Sequence, residues 1–255
     1  MILVTNDDGY SAKGISILQK AAMNIFGRDV AVVAPESPRS ASGMSLTFHK
    51  PLRLEKVSDT GKGVYKLSGT PADCVFIAYT HLFKGEISMI LSGINEGMNA
   101  GIETIYSSGT VSAAMYGAIL GIPSIAFSKH RTIKGDESDT DALLHKTEKI
   151  LEVIKKKHFP RYAHLINVNF PDIVKENTKV RALVPQHKVF LNRVYVKKDP
   201  RGKRYYWLFG NIIAEKKRET DVSSLLKGNI TITPLQISKP NRQNLNSMDK
   251  LFRDI

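Results

Sequence analysis

From residue 1 to about 130, short consecutive apolar runs alternate with stretches in which apolar residues recur every three or four positions. That alternation predicts βαβ units around a mostly parallel sheet. Residues 2–5 read as a first strand, followed by a helix from Lys13 with Ile15, Leu18, Ala22 and Ile25 on one face. Residues 29–34 are almost wholly apolar, as a strand buried on both faces should be, and end on Pro35. Further strands are predicted at 64–67, 88–91, 123–127 and 165–170. Helices are expected from Thr70 as cap and Pro71 at the first position to about Leu82, then over 112–120 and over 139–157.

After Pro171 the texture changes. Segments 180–184, 189–196 and 205–209 alternate or are broken by Gly and Pro, which reads as antiparallel hairpins. The expected organisation is an α/β core over 1–175, a β-hairpin arm over 176–235 and a polar tail over 236–255.

The 255 residues, 42% hydrophobic and 24% charged, describe an ordinary globular chain with enough length for a sizeable core. No apolar run is long enough to span a membrane. MILVTNDD starts a strand at once without a basic, apolar and small-residue leader, so the expected location is the cytoplasm. One cysteine, Cys74, excludes an internal disulfide and a cysteine-rich zinc site, and its neighbours make it a buried small hydrophobe. The net charge of +13 favours phosphate-bearing partners. Its excess lies in 155–158, 193–204 and 216–218, and no nucleic-acid-binding motif accompanies it, so nucleic acid is not the expected main partner.

The chemistry-bearing residues gather where strands end. The first strand stops on Asn6-Asp7-Asp8-Gly9. Ligands of open α/β sheets sit at such carboxyl ends, so two adjacent carboxylates there suggest a metal site. A plain turn with an Asp helix cap is the competing reading. The loop 36–43 is rich in serine and leaves the same sheet end, as a functional loop or a flexible linker. A glycine-dense stretch, 92–101, follows the strand at 88–91. Ser107-Ser108-Gly109-Thr110 then enters a small-residue helix, either as an anion site at a positive helix end or as an ordinary cap. All these groups are oxygen donors, so a bound metal would be hard, Mg²⁺ or Mn²⁺. Such an ion beside an anion-holding helix end suits phosphoester hydrolysis.

Several motifs occur in order along nearly the whole chain. They are Asn6-Asp7-Asp8-Gly9, Pro38-Arg39-Ser40, Gly69-Thr70-Pro71-Ala72-Asp73-Cys74-Val75, Ser92-Gly93-Ile94-Asn95 with Asn99 and Gly101, and Tyr106-Ser107-Ser108-Gly109-Thr110-Val111. Ile166-Asn167-Val168-Asn169-Phe170-Pro171, Thr220-Asp221 and Ile232-Thr233-Pro234-Leu235 complete the set. Together they closely resemble the SurE family of survival-protein nucleotidases.

The resemblance implies a Rossmann-like three-layer α/β sandwich with a C-terminal β-hairpin arm. It implies a metal-dependent enzyme that releases phosphate from nucleoside 5′- or 3′-monophosphates, with short polyphosphate as a further substrate. Carried over by position, Asp7, Asp8, Ser40 and Asn95 would hold one divalent cation, and Ser107, Ser108, Gly109 and Thr110, with Asn99 nearby, would hold the phosphate. Asp7 or Asp8 would accept the proton of the attacking water. The family typically forms dimers or tetramers through exchanged C-terminal arms, which implies a homodimer or homotetramer here. Two positions depart from its pattern: the doubled Ser107-Ser108, which leaves both hydroxyls as candidates, and Tyr116, where an acidic residue is expected before Gly117.

Two other readings fit the same residues. A haloacid-dehalogenase-like phosphatase would attack through an aspartate, although that chemistry wants two aspartates one residue apart. A basic RNA- or polyphosphate-binding protein on an inactive scaffold would bind in a salt-sensitive, chelator-resistant way.

Overall fold

The computed structural model describes residues 1–131 and 140–253. Nine strands form one sheet in the order β3-β4-β2-β1-β5-β6-β7-β11-β8, and β9 with β10 forms a separate two-stranded ribbon. From β4 to β7 all neighbours run parallel, with β1 (Ile2–Thr5), β2 (Val30–Pro35) and β5 (Met89–Glu96) at the centre. β6 (Ser124–Lys129) and β7 (Leu165–Phe170) continue the sheet on one side, β4 (Val64–Leu67) and the antiparallel edge strand β3 (Leu54–Ser58) on the other. Every residue of β1, β2 and β7 is buried, whereas β3 is mostly exposed, as an edge should be.

Strand alternation divides the core into two apolar layers. Ile2, Val4, Val32, Phe127 and Val168 face α1 (Lys13–Phe26) and α5 (Thr140–Lys157), supplied by Ile15, Leu18 and Leu151. Leu3, Val33 and Ile90 face the opposite side, against Cys74 and Val75 of α2 (Pro71–Ile77) and Ala113 of α4 (Gly109–Ile119). The three-layer α/β arrangement is thus present, and Cys74 is fully buried.

Several elements differ from their expected extent. β5 continues through Glu96, carrying Ser92 to Asn95 inside a strand, with a register shift against β6 between Ser92 and Asn95. A six-residue helix, α3 (Ile102–Ser107), precedes α4, which begins at Gly109 rather than 112. α2 ends in a wider π turn over Ala78–Leu82. The expected start of α5 at Asp139 lies outside the described residues.

The C-terminal part is partly a hairpin and partly core. β9 (Phe190–Lys198) and β10 (Arg204–Ile212) pair antiparallel over their whole length, giving the expected C-terminal β-hairpin. β8 (Val180–Ala182) is no hairpin strand: it lies at the sheet edge, parallel to β11 (Ile230–Leu235), and β11 runs antiparallel to β7. Between hairpin and β11, α6 (Asp221–Leu226) is closed by a reciprocal Thr220–Ser223 cap. Past 236, where a polar tail is expected, an exposed helix α7 (Arg242–Leu251) is capped by Asn241.

Candidate active site

Asn6 shapes the turn that carries the two carboxylates. Its side-chain N–H donates to the Gly9 carbonyl at 2.9 Å and its side-chain oxygen accepts the Gly9 N–H at 3.1 Å, all within the interior. Gly9 has φ +102°, a backbone region that disfavours side chains. Asp7 and Asp8 therefore leave β1 on a fixed loop.

Asp7 points to the start of α4. Its carboxylate accepts the Thr110 hydroxyl, and Gly109 packs so closely that an added Cβ would lie 2.8 Å from the Asp7 Cβ and 2.9 Å from Ser42 Oγ. Asp7 is almost wholly buried. Burial raises its pKa above the usual carboxylate value, opposed by the Thr110 hydroxyl and the backbone N–H groups of α4's first residues.

Asp8 turns toward β5, where its Oδ2 accepts the Glu96 N–H at 3.1 Å. This places it one residue from Asn95. Burial, then the negative charges of Asp7 and Glu96, push Asp8 up to about 6. The Glu96 carboxylate is itself paired with Arg131. Asn95 spends a side-chain N–H on the Gly97 carbonyl at 2.8 Å, so its side-chain oxygen remains an acceptor for a ligand.

The serine loop is anchored at both ends. The Arg39 N–H donates to the Asp7 carbonyl at 2.7 Å. The Thr47 N–H and hydroxyl both donate to Asp73, at 2.9 and 2.6 Å, and Asp73 also forms the capping box with Thr70 at the start of α2. In the anchored span Ser40 is exposed and makes no hydrogen bond among the described residues. Ser42, absent from the sequence-based set, is the hydroxyl that packs on Gly109, and its Oγ is buried with no partner among the described residues. A buried hydroxyl without a partner is costly in a closed core and expected in a ligand site.

The doubled serine divides into two roles. Ser108 is the N-cap of α4, buried, with its oxygen accepting the Val111 N–H at 3.1 Å. Ser107 is exposed and donates back to the Glu103 carbonyl of α3 at 2.9 Å. Asn99 lies deeper. Its N–H donates to Asn169, its side-chain N–H to Ser128, each at 2.8 Å, and its carbonyl accepts Asn167 at 2.8 Å. It thus braces the ends of β6 and β7. Tyr116 packs edge-on against Phe76 at 6.3 Å, away from the carboxylates.

α1 closes the arrangement from one side. An added Cβ on Gly14 would fall 1.9 Å from the Ile94 carbonyl oxygen, so only glycine permits α1 to approach the β5 segment carrying Asn95. Among the described residues no three His, Cys, Asp or Glu side chains cluster as metal ligands. A cation here would rest on two carboxylates and neutral oxygens, the donor set of a hard ion. No described helix is long and apolar enough to cross a membrane.

Comparison with known proteins agrees with this architecture. The family model described as Survival protein SurE matches residues 2–191. The 5′-nucleotidase SurE of Thermofilum pendens is 38% identical over 241 residues, covering 93% of this chain and 90% of that protein. The 5′-nucleotidase SurE of Hyperthermus butylicus is 40% identical over 243 residues, covering 93% and 85%. The crystal structure of the SurE protein from Aquifex aeolicus superposes with a TM-score of 0.83 at 35% identity, covering 98% of each chain. With strand order, strand-end carboxylates and extended similarity in agreement, the chain belongs to the SurE family.

Proposed function

We propose that the protein hydrolyses nucleoside 5′-monophosphates to nucleoside and orthophosphate with the help of one divalent cation, Mg²⁺ or Mn²⁺. The observation that carries this reading is the pair Asp7 and Asp8 at the end of β1, the first against the N-terminus of α4 and the second against the end of β5. Both relatives compared above bear the name 5′-nucleotidase SurE. Asp7, Asp8, Asn95 and the loop hydroxyl of Ser40 would hold the cation, and the unpartnered Ser42 Oγ is a further oxygen at the same place. When bound, the ion would lower the pKa of water and offset charge on the phosphoryl oxygens.

The chain's own groups supply orientation and proton transfer. At the α4 N-terminus the Ser108 hydroxyl, whose proton is not used among the described residues, orients the phosphoryl group, while Thr110 holds Asp7 and Gly109 lets Asp7 and Ser42 pack beside it. Asp8 has Oδ2 engaged by the Glu96 N–H, which leaves Oδ1 as the oxygen that would take the proton from the attacking water if Asp8 is the base. The same reading extends to nucleoside 3′-monophosphates and short polyphosphate. It also extends to assembly: β9–β10 exposes Trp207 and Leu208, 63% and 85% accessible, and serves as the arm that joins copies into a homodimer or homotetramer.

Phosphate release from a panel of 5′- and 3′-nucleotides and tripolyphosphate, with Mg²⁺, Mn²⁺ or EDTA, tests the proposal. Release from 5′-monophosphates that EDTA abolishes, and that Asp8→Asn lowers about 10³-fold, is expected. Equal rates in EDTA, or a wild-type rate for Asp8→Asn with saturating Mn²⁺, would overturn it.

A further inference from the structure

We propose that a cavity at the root of the β9–β10 hairpin is a second anion site, built for a ligand with several phosphates in a chain. The cavity has a volume of about 500 Å³, within the usual range for small-molecule sites of about 300–1,000 Å³. Lys188, Lys216, Lys217 and Arg218 line it, with His187 beside them. Among the described residues none of these four cations forms an ion pair, whereas nearby Arg181 is matched to Glu219 at 2.9 Å. The one carboxylate in the lining, Glu215, uses Oε1 on the Lys217 backbone N–H at 3.1 Å. The site shares no residue with the candidate active site.

The backbone of this cavity is fixed before any ligand arrives. Gln186 is buried, and its side chain uses both N–H groups and both lone pairs. Nε2 donates to the carbonyls of Lys188 at 2.7 Å and Ile213 at 2.5 Å, while Oε1 accepts the Glu215 N–H at 2.8 Å and the Thr220 hydroxyl at 3.1 Å. The Ile213 N–H closes the root onto the Val189 carbonyl at 2.8 Å. One amide thus clamps both sides of a loop whose outer positions are cationic. A solvated charge run needs no such frame, whereas a preorganised site lowers the ordering cost of binding. Four like charges also exceed what one orthophosphate can neutralise, which is why a chain of phosphates fits better than a single one.

Calorimetric titration of the full-length protein with inorganic tripolyphosphate in EDTA tests this. Saturable binding is expected. Lys216→Ala/Lys217→Ala/Arg218→Ala should weaken it about tenfold or more, and Lys188→Glu should weaken it independently. The charge-matched variant Lys20→Ala/Lys156→Ala/Lys157→Ala, at exposed positions elsewhere, should bind as wild type. AMP hydrolysis should stay unchanged in all three, which also reports that they fold. A non-hydrolysable ATP analogue distinguishes the two sources of the chemistry: affinity equal to tripolyphosphate assigns recognition to the phosphates alone, and tighter binding adds a nucleoside contact. No saturable binding to wild type, or equal weakening in the charge-matched variant, overturns the proposal.

Discussion

At the residue scale, Asp8 is a carboxylate placed where folding disfavours its charge. An ordinary unfolded aspartate ionises near pH 4, and in the fold Asp8 does so at about 6. Between those values the native state binds more protons than the unfolded state, so this group's contribution falls as pH rises and its penalty is complete above about 6. Asn keeps an oxygen for the Glu96 N–H but carries no charge. Asp8→Asn should therefore raise the melting temperature in EDTA at pH 7.5, with a gain that shrinks toward pH 4.5, while activity is lost. Thermal denaturation at the two pH values reads this directly, and an equal or negative shift at both would contradict it. Asp7 and Asp8 are legible in sequence because a strand end followed by paired carboxylates is a local pattern. Ser42 and Glu96 are not, because their roles follow from a packing contact with Gly109 and a backbone bond across two strand ends.

At the element scale, the junction of α3 and α4 separates two serines that composition treats alike. Ser108→Ala removes the α4 cap and should cost about 1 kcal/mol, together with a slower turnover from a less ordered helix end. Ser107→Ala removes only a hydroxyl bonded to its own helix and should be close to neutral. Urea denaturation and nucleotidase rates for the two variants check this, and the reverse order of effects would exchange their roles. α3 escapes the sequence reading because six residues are too few to show helical periodicity. β5 is read short because Ser92, Gly93 and Asn95 are poor strand formers, although Ser92 and Asn95 pair with β6 on either side of a register shift. Leu245 and Met248 of α7 and Phe252 just past its end recur at three and four positions, a helical face hidden within an otherwise polar segment.

At the scale of the molecule, the doubly buried parallel strands announce the sheet, because a covered sheet explains runs as apolar as those of β1 and β2. The return of β8 and β11 to that sheet is not legible, since a strand's sequence states that it is extended but not which neighbour it pairs with. The hairpin differs in kind: among the described residues nothing covers Trp207 and Leu208. If this face joins copies, Trp207→Lys/Leu208→Lys should lower the mass measured by light scattering at fixed concentration and leave far-ultraviolet dichroism unchanged. An unaltered mass would remove the hairpin from assembly.

The meeting of Asp7 with the first turn of α4 carries one further consequence. A helix start is ordinarily a welcome for anions, and here an internal carboxylate already shares it through the Thr110 hydroxyl. If the site works as proposed, the two carboxylates Asp7 and Asp8 would repel an arriving monophosphate until a cation offset their charge, so the metal would bind before the nucleotide.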